Sequence, residues 1–212
     1  MARHTKPIAI AALGALGAVV AGALYARRNP SACPYGQRWL LELPKPGVGR
    51  GRVLDVLDPQ PKERILELGP GTGYYSLDVA KRIAPRGRLE AFDLQQEMLD
   101  HTQRRAKEAG IENISDWQGD ASKPLIFEDD RFDGALLVTV LGEIPDQDHA
   151  LRELARVVKP GGRVVFGETA LDPHVVALGA LKERAEAAGL RFERSAGTPL
   201  GYVARFAVPP AA

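Results

Sequence analysis

The residues best placed to do chemistry are Glu67, Gly69, Gly71 and Gly73, in the run E-L-G-P-G-T-G at 67 to 73. The apolar ILEL stretch that leads into it reads as a strand, and YYSLDVAKRIA after it reads as a helix. A strand, a glycine-rich turn and a helix start together make a site for a polar ligand. The turn lets backbone come close, and the helix N-terminus offers free N–H groups. The register of the glycines selects the ligand. A dinucleotide turn needs its third glycine at position 74, where this chain has Tyr74, and no Gly-Lys-Ser/Thr follows as a phosphate loop requires. An acid at Glu67 sits badly beside a pyrophosphate and well beside an ammonium group.

A second set of candidates lies in LGEIPDQDHA, residues 141 to 150. Glu143 and His149 are the candidate catalytic residues, since a carboxylate or an imidazole can take a proton from a substrate. Asp146 stands where a helix begins and reads as its N-cap. Tyr74 and Tyr75 are candidate lid or pocket residues. The single cysteine, Cys33, has no partner for an intramolecular disulfide, and no Cys/His cluster has metal-ligand spacing, so no metal is expected.

The elements that must position these residues alternate. ERILELG, RLEAFD, NISDWQ, FDGALLVTVL and RVVFGE are strand-like. YYSLDVAKRIA, QQEMLDHTQRRAKEAG, DQDHALRELARVV and HVVALGALKERAEAAG carry helical spacing. That alternation predicts an α/β fold with a mostly parallel sheet covered on both faces. LRFERSA and LGYVARFAV follow with no room for a helix between them, so they form an antiparallel hairpin and complete seven strands. Gly110, Gly161 and Gly189 stand where a left-handed residue ends a helix.

Ahead of this domain, residues 8 to 26 (IAIAALGALGAVVAGALYA) carry no charge and are flanked by Arg3, Lys6, Arg27 and Arg28. A helix of that length spans roughly 28 Å, close to a hydrocarbon core of about 30 Å. The expected organisation is an N-terminal apolar segment at 1–28 acting as a membrane anchor, a Pro-rich linker or cap at 29–49, and the α/β domain at 50–208. Basic residues after the apolar run outnumber those before it, which places the domain in the cytoplasm. Two other readings stand: a signal peptide cleaved after Ala21-Gly22-Ala23, giving a secreted protein, and a helix that never meets a membrane.

Composition narrows the partners. Lys and Arg number 28 against 27 Asp and Glu, and aromatics make up 6%. No global field or stacking platform favours nucleic acid.

With these motifs in order, the chain resembles the class I S-adenosylmethionine-dependent methyltransferases over residues 53 to 207, and in general pattern their quinone-biosynthetic, small-molecule group. That family's first motif is E/D-x-G-x-G-x-G. An acid, Asp93, closes the second strand; GDA at 119 to 121 follows the third; and LRELARVVKPGGRVVFGE matches the family's helix, tight turn and fifth strand. The resemblance implies a Rossmann-like fold and S-adenosyl-L-methionine as cofactor. Gly69, Gly71 and Gly73 would let backbone approach it, Glu67 would help to hold its ammonium, and Asp93, with Leu94 beside it, would take the ribose hydroxyls. Asp120 and Ala121 would meet the adenine. The absence of an Asn/Asp-Pro-Pro-aromatic signature after the fourth strand favours a small or lipid-like methyl acceptor. Two rivals remain: a module that binds S-adenosylmethionine without catalysis, and a nicotinamide enzyme of the same fold.

Overall fold

The computed structural model describes residues 30–210. The expected apolar helix at 8–26 lies outside the described residues. Seven strands form one sheet in the order β3-β2-β1-β4-β5-β7-β6. In chain order they are β1 (Arg64–Leu68), β2 (Arg88–Asp93), β3 (Ile114–Gln118), β4 (Phe132–Val138), β5 (Val158–Thr169), β6 (Arg191–Thr198) and β7 (Gly201–Ala207). The first five pair in parallel, and β7 runs antiparallel between β5 and β6. The expected mostly parallel sheet with a reversed terminal hairpin is what the chain builds.

Five helices cover it: α1 (Arg50–Leu57), α2 (Ser76–Ile83), α3 (Gln96–Glu108), α4 (Gln147–Val157) and α5 (Leu178–Ala187). Alternate residues of the central strands feed two cores. Leu66, Leu68, Leu137, Val164 and Phe166 pack with Leu151 and Leu154 of α4 and Leu181 of α5. Ile65, Leu136 and Val165 pack with Val53 and Leu57 of α1, Val79 and Ile83 of α2, and Leu99 of α3. Because β1 and β4 are buried on both faces, their sequences run apolar without alternation. Because the chain leaves β1 toward one neighbour and β4 toward the other, the loops after them part and leave a crevice at their C-terminal ends.

Two local expectations are corrected. The helix after β5 starts only at Leu178, and residues 170–177 form a loop that Tyr202 fastens by donating its hydroxyl to the Val176 carbonyl at 2.7 Å. Gly161 ends no helix. Helix α4 stops at Val157, and Val158 already pairs with Phe132, so Gly161 at φ +79° belongs to an irregularity inside β5. There its N–H meets the Val208 carbonyl at 2.8 Å.

Arg163 of β5 fixes how α1 and β1 meet the sheet. Its buried guanidinium donates to both Glu63 oxygens (2.9 and 2.5 Å), to the Asp58 carbonyl at 3.0 Å, and to the Leu57 carbonyl at the end of α1. Removing one member of a buried charge network leaves the others unpaired. Arg163→Ala is expected to lower stability by about 3 kcal/mol in denaturant unfolding; a loss below about 1 kcal/mol, the range of exposed pairs, would show that the network does not hold α1.

Candidate active site

The crevice holds the protein's main cleft, with about 1080 Å³ of open space including its mouth. Its floor is the turn after β1. Gly69 and Gly71 have φ of +66° and +56°, a conformation that L side chains avoid. A Cβ on Gly69 would collide with Val140, and one on Gly71 would lie 2.9 Å from Leu41. The turn is held from α3, where Thr102 donates to the Gly71 carbonyl at 3.1 Å and Arg105 to the Thr72 carbonyl at 2.8 Å. Its carbonyls are thereby engaged away from the cleft.

Gly73 differs from its two neighbours. It does not line the cleft, and a Cβ there would press on Leu77 and Thr102 at 3.0 and 3.1 Å. Its lack of a side chain lets the turn pack closely against α2 and α3.

Carboxylates dominate the chemistry. Glu67, at the end of β1, is 3% exposed, and its Oε2 has no hydrogen-bond partner. Burial pushes its carboxyl up to about 7, with repulsion from Asp93 adding to the rise. Asp93 ends β2 and accepts from the Gln95 amide at 2.9 Å, the cap-like contact. Burial raises its carboxyl too, against hydrogen bonds from the Gln95, Gly71 and Leu94 amides. Leu94, Gly119, Asp120 and Ala121 line the far end of the cleft. Asp120 is tied within its own loop, accepting from the Ser122 hydroxyl at 2.6 Å and amide at 2.8 Å, which holds its carboxyl below the usual range.

Beyond β4 the two candidate catalytic residues separate. Glu143 lines the cleft. Burial pushes its carboxyl up to about 8; the nearby charges of Asp172, Asp93 and Glu168 add to this, and the Cys33 amide opposes it. Gly142 makes this crowding possible, for any side chain there would overlap the His174 carbonyl of the loop after β5. His149 does not line the cleft. It sits in the first turn of α4, four residues before Glu153, whose carboxyl it helps to lower; its backbone N–H donates to the capping Asp146 at 2.9 Å, and its Nε2 is buried without a hydrogen-bond partner. Asp146 caps the helix as its position implied.

Several residues around the cleft carried no sequence signal. The strap of residues 30–46 supplies Cys33, Leu41 and Lys45. Lys45 is the one cationic side chain lining the cleft among the described residues. It donates to the Leu41 carbonyl at 2.7 Å and lies 5.2 Å above the Tyr74 ring centre, while burial lowers its ammonium. Tyr75 is buried, donating its hydroxyl to the Val48 carbonyl at 2.8 Å, and Tyr74 lies under Arg50 at 4.0 Å. Both tyrosines line the cleft, Tyr75 as a fixed wall.

A cleft lined by Asp93 at one strand end, with the unpartnered Glu67 oxygen buried at the adjoining glycine turn though not in the lining itself, suits a ligand that brings positive charge and paired hydroxyls. S-Adenosylmethionine has an ammonium, a sulfonium and a ribose diol, and these residues fit it. Strand order, reversed hairpin and cleft are together those of the class I S-adenosylmethionine-dependent methyltransferase fold. Among solved structures, a SAM-dependent methyltransferase from Aquifex aeolicus superposes with a TM-score of 0.70 at 19% identity, over 84% of this chain and all of that one. The [4+2]-cyclase SpnF superposes at 0.67, also with 19% identity, over 76% and 80%. The profile of the ubiE/COQ5 methyltransferase family matches residues 46–178, and the chain belongs to that family. Two similar relatives are the demethylmenaquinone methyltransferase of Bacillus cytotoxicus (32% identical over 57% of this chain and 50% of that one) and the 2-phytyl-1,4-naphtoquinone methyltransferase of Synechococcus elongatus (36% over 54% and 48%). The chain spans about half the length of these curated relatives.

Two outcomes test the cofactor end. Asp93→Ala is expected to weaken S-adenosylmethionine binding by on the order of 1.5–3 kcal/mol in calorimetric titration, the worth of hydrogen bonds to a charged group; unchanged affinity would place the ribose elsewhere. Because Glu67 must be ionised to face a cation, affinity should climb as pH rises through about 7. In Glu67→Gln that slope should flatten, and a slope that persists would assign it to another group.

Proposed function

We propose that the chain transfers a methyl group from S-adenosylmethionine to a small, quinone-type acceptor, with Glu143 taking the proton that the acceptor releases. The position of Glu143 carries this reading. It is the one cleft-lining carboxylate at the end of β4, the side of the crevice opposite the glycine turn, and it is buried enough to titrate near neutrality. In this fold an acceptor approaches over the strand ends. The relatives' names, which specify a demethylmenaquinone and a phytyl-naphthoquinone, support an aromatic acceptor of that kind.

When bound, S-adenosylmethionine supplies an already electrophilic sulfonium methyl, so the protein's task is alignment and proton removal. In this reading Glu67 and the turn at Gly69 and Gly71 hold the methionine end, Asp93 holds the ribose, and Asp120 and Ala121 flank the adenine. Leu41 and Lys45, strap side chains that line the cleft, exclude water from the methyl group. A carboxylate raised to about 8 is a stronger base than an ordinary one, and most of it is available only in mildly alkaline solution. Lys45 and the Cys33 amide stand on the strap side of this acid.

We further propose the organisation read from the sequence: anchor at 1–28, cap at 29–49, catalytic domain at 50–208, with the acceptor met at the cytoplasmic membrane face. Among the described residues no helix is long and apolar enough to cross a membrane. The anchor reading therefore rests on the uncharged run at 8–26. A binding module without turnover is the competing reading, and activity separates the two.

The full chain incubated with methyl-labelled S-adenosylmethionine and a chemically reduced demethylnaphthoquinone is expected to label the ring; binding without transfer to it or to membrane extract would sink the enzyme reading. Glu143→Gln should cut turnover by about a hundredfold or more while leaving S-adenosylmethionine affinity nearly unchanged. The wild-type rate should rise as pH passes through about 8, where Glu143 ionises, and the variant should lack that inflection.

A further inference from the structure

The strap presents its apolar side chains to the wrong side for a helix that only packs on its own domain. Its 3-10 helix, Tyr35–Glu42, has no buried residue. Trp39 is 62% exposed, and Leu40 and Leu43 are 39% and 47% exposed. What fastens the strap beneath is polar. The Tyr35 N–H donates to the Gln95 side chain at 3.1 Å, the Gln95 amide donates back to the Cys33 carbonyl at 2.8 Å, and Arg105 pairs with Glu42 at 2.7 Å. Within the helix, Leu41 is the large apolar residue that turns inward to the cleft. A surface helix ordinarily places its apolar stripe toward the core; this one is reversed.

The sequence upstream indicates what the outer face meets. Six residues, 29–34, separate Tyr35 from the basic pair Arg27 and Arg28, which closes the uncharged run at 8–26. Fully extended, six residues reach about 20 Å. A bilayer that holds the run therefore keeps the strap within that distance of its surface. The rim is basic as well: Arg38 lies 4.4 Å over the Tyr35 ring, and Arg104 reaches the Tyr35 hydroxyl at 3.2 Å. Burial first, and then Arg104, Arg38 and Arg105 against the opposing Glu42, hold the His101 imidazole below its ordinary value.

We infer that Trp39, Leu40 and Leu43 form a bilayer-docking surface, seated at the headgroup–acyl boundary with Arg38 and Arg104 toward anionic headgroups. The inference rests on the membrane side of the proposed function. A helix with large apolar residues on one face and basic residues at its border lies in the interface plane in this way. The consequence for the site is direct. The strap that roofs the cleft also touches lipid, so an acceptor with a long apolar tail passes from the bilayer to the cleft without its tail entering water.

Fluorescence tests it, since the chain has two tryptophans and Trp117 donates its indole to Glu90 at 2.6 Å within the domain. The full chain is floated with vesicles of phosphatidylcholine and phosphatidylglycerol in equal parts, acyl-brominated in a parallel set. Bromolipid should quench the emission of the bound protein, and Trp39→Phe should abolish that quenching. Trp39→Asp combined with Leu43→Asp should slow transfer to a vesicle-borne long-chain demethylnaphthoquinol by about tenfold or more, the worth of a large apolar side chain taken from water. Transfer to a tail-less, water-soluble demethylnaphthoquinol should stay within about twofold, because neither residue lines the cleft. Failure to float, flotation without quenching, or a dimer that buries Trp39 instead would each overturn the docking surface. Quenching in a protein that methylates neither acceptor would leave it standing and overturn the methyltransferase reading.

Discussion

The burial of several carboxylates around one cleft, with a single lysine against them in its lining, is the constraint that organises this protein. Glu67, Asp93, Glu143, Glu168 and Asp172 are all pushed upward from their ordinary values, each chiefly by burial. Each would be cheaper in water. Concentrations of perturbed acids of this kind mark sites whose electrostatics are completed by a ligand. A cationic cofactor is such a ligand, and the unpartnered Glu67 Oε2 is where the shortfall is most local.

The fold follows from the need to bring these acids to one place. Glu67, Asp93 and Glu143 come from the ends of β1 and β2 and from the loop after β4, and Glu168 lies near the end of β5. Parallel strands put all their C-terminal ends on one edge of the sheet, which an antiparallel meander would not do. Val176 donates its amide to Glu168 at 3.2 Å, so even the loop after β5 is pinned by an acid of the cluster. The two apolar cores, one on each face, then hold the strand ends in register.

How much of this was legible in the sequence depends on how local each signal was. The seven strands, their alternation with helices and the reversed hairpin were readable because each is written in apolar periodicity over a few consecutive residues. The glycine turn was readable for the same reason, although Gly73 faces helices where a ligand contact was expected. His149 does not line the cleft with Glu143, because proximity in sequence says nothing about which side of α4 a residue occupies. Asp172, Glu168, Lys45 and Cys33 were not legible at all. They reach Glu143 from two separated segments, the strap and residues 168–172, and the approach of the loop after β5 depends on Gly142, whose missing side chain carries no motif.

The way residues 30–46 are fastened to the domain bears on how the site works. Gln95 donates its backbone amide to Asp93 and its side-chain amide to the Cys33 carbonyl, while its side-chain oxygen accepts from Tyr35. One residue therefore joins the carboxylate at the end of β2 to the strap that roofs the cleft. The turn and the strap are joined again through Arg105, which holds the Thr72 carbonyl and Glu42 together. A ligand that engages Asp93 or the glycine turn thus acts on groups that also fasten the strap. Since the strap's hold on the domain is mainly polar, it is weaker than apolar packing and can respond to such a change without disturbing either core. Asp93, the glycine turn and the roof are accordingly parts of one hydrogen-bonded arrangement, built around Gln95 and Arg105.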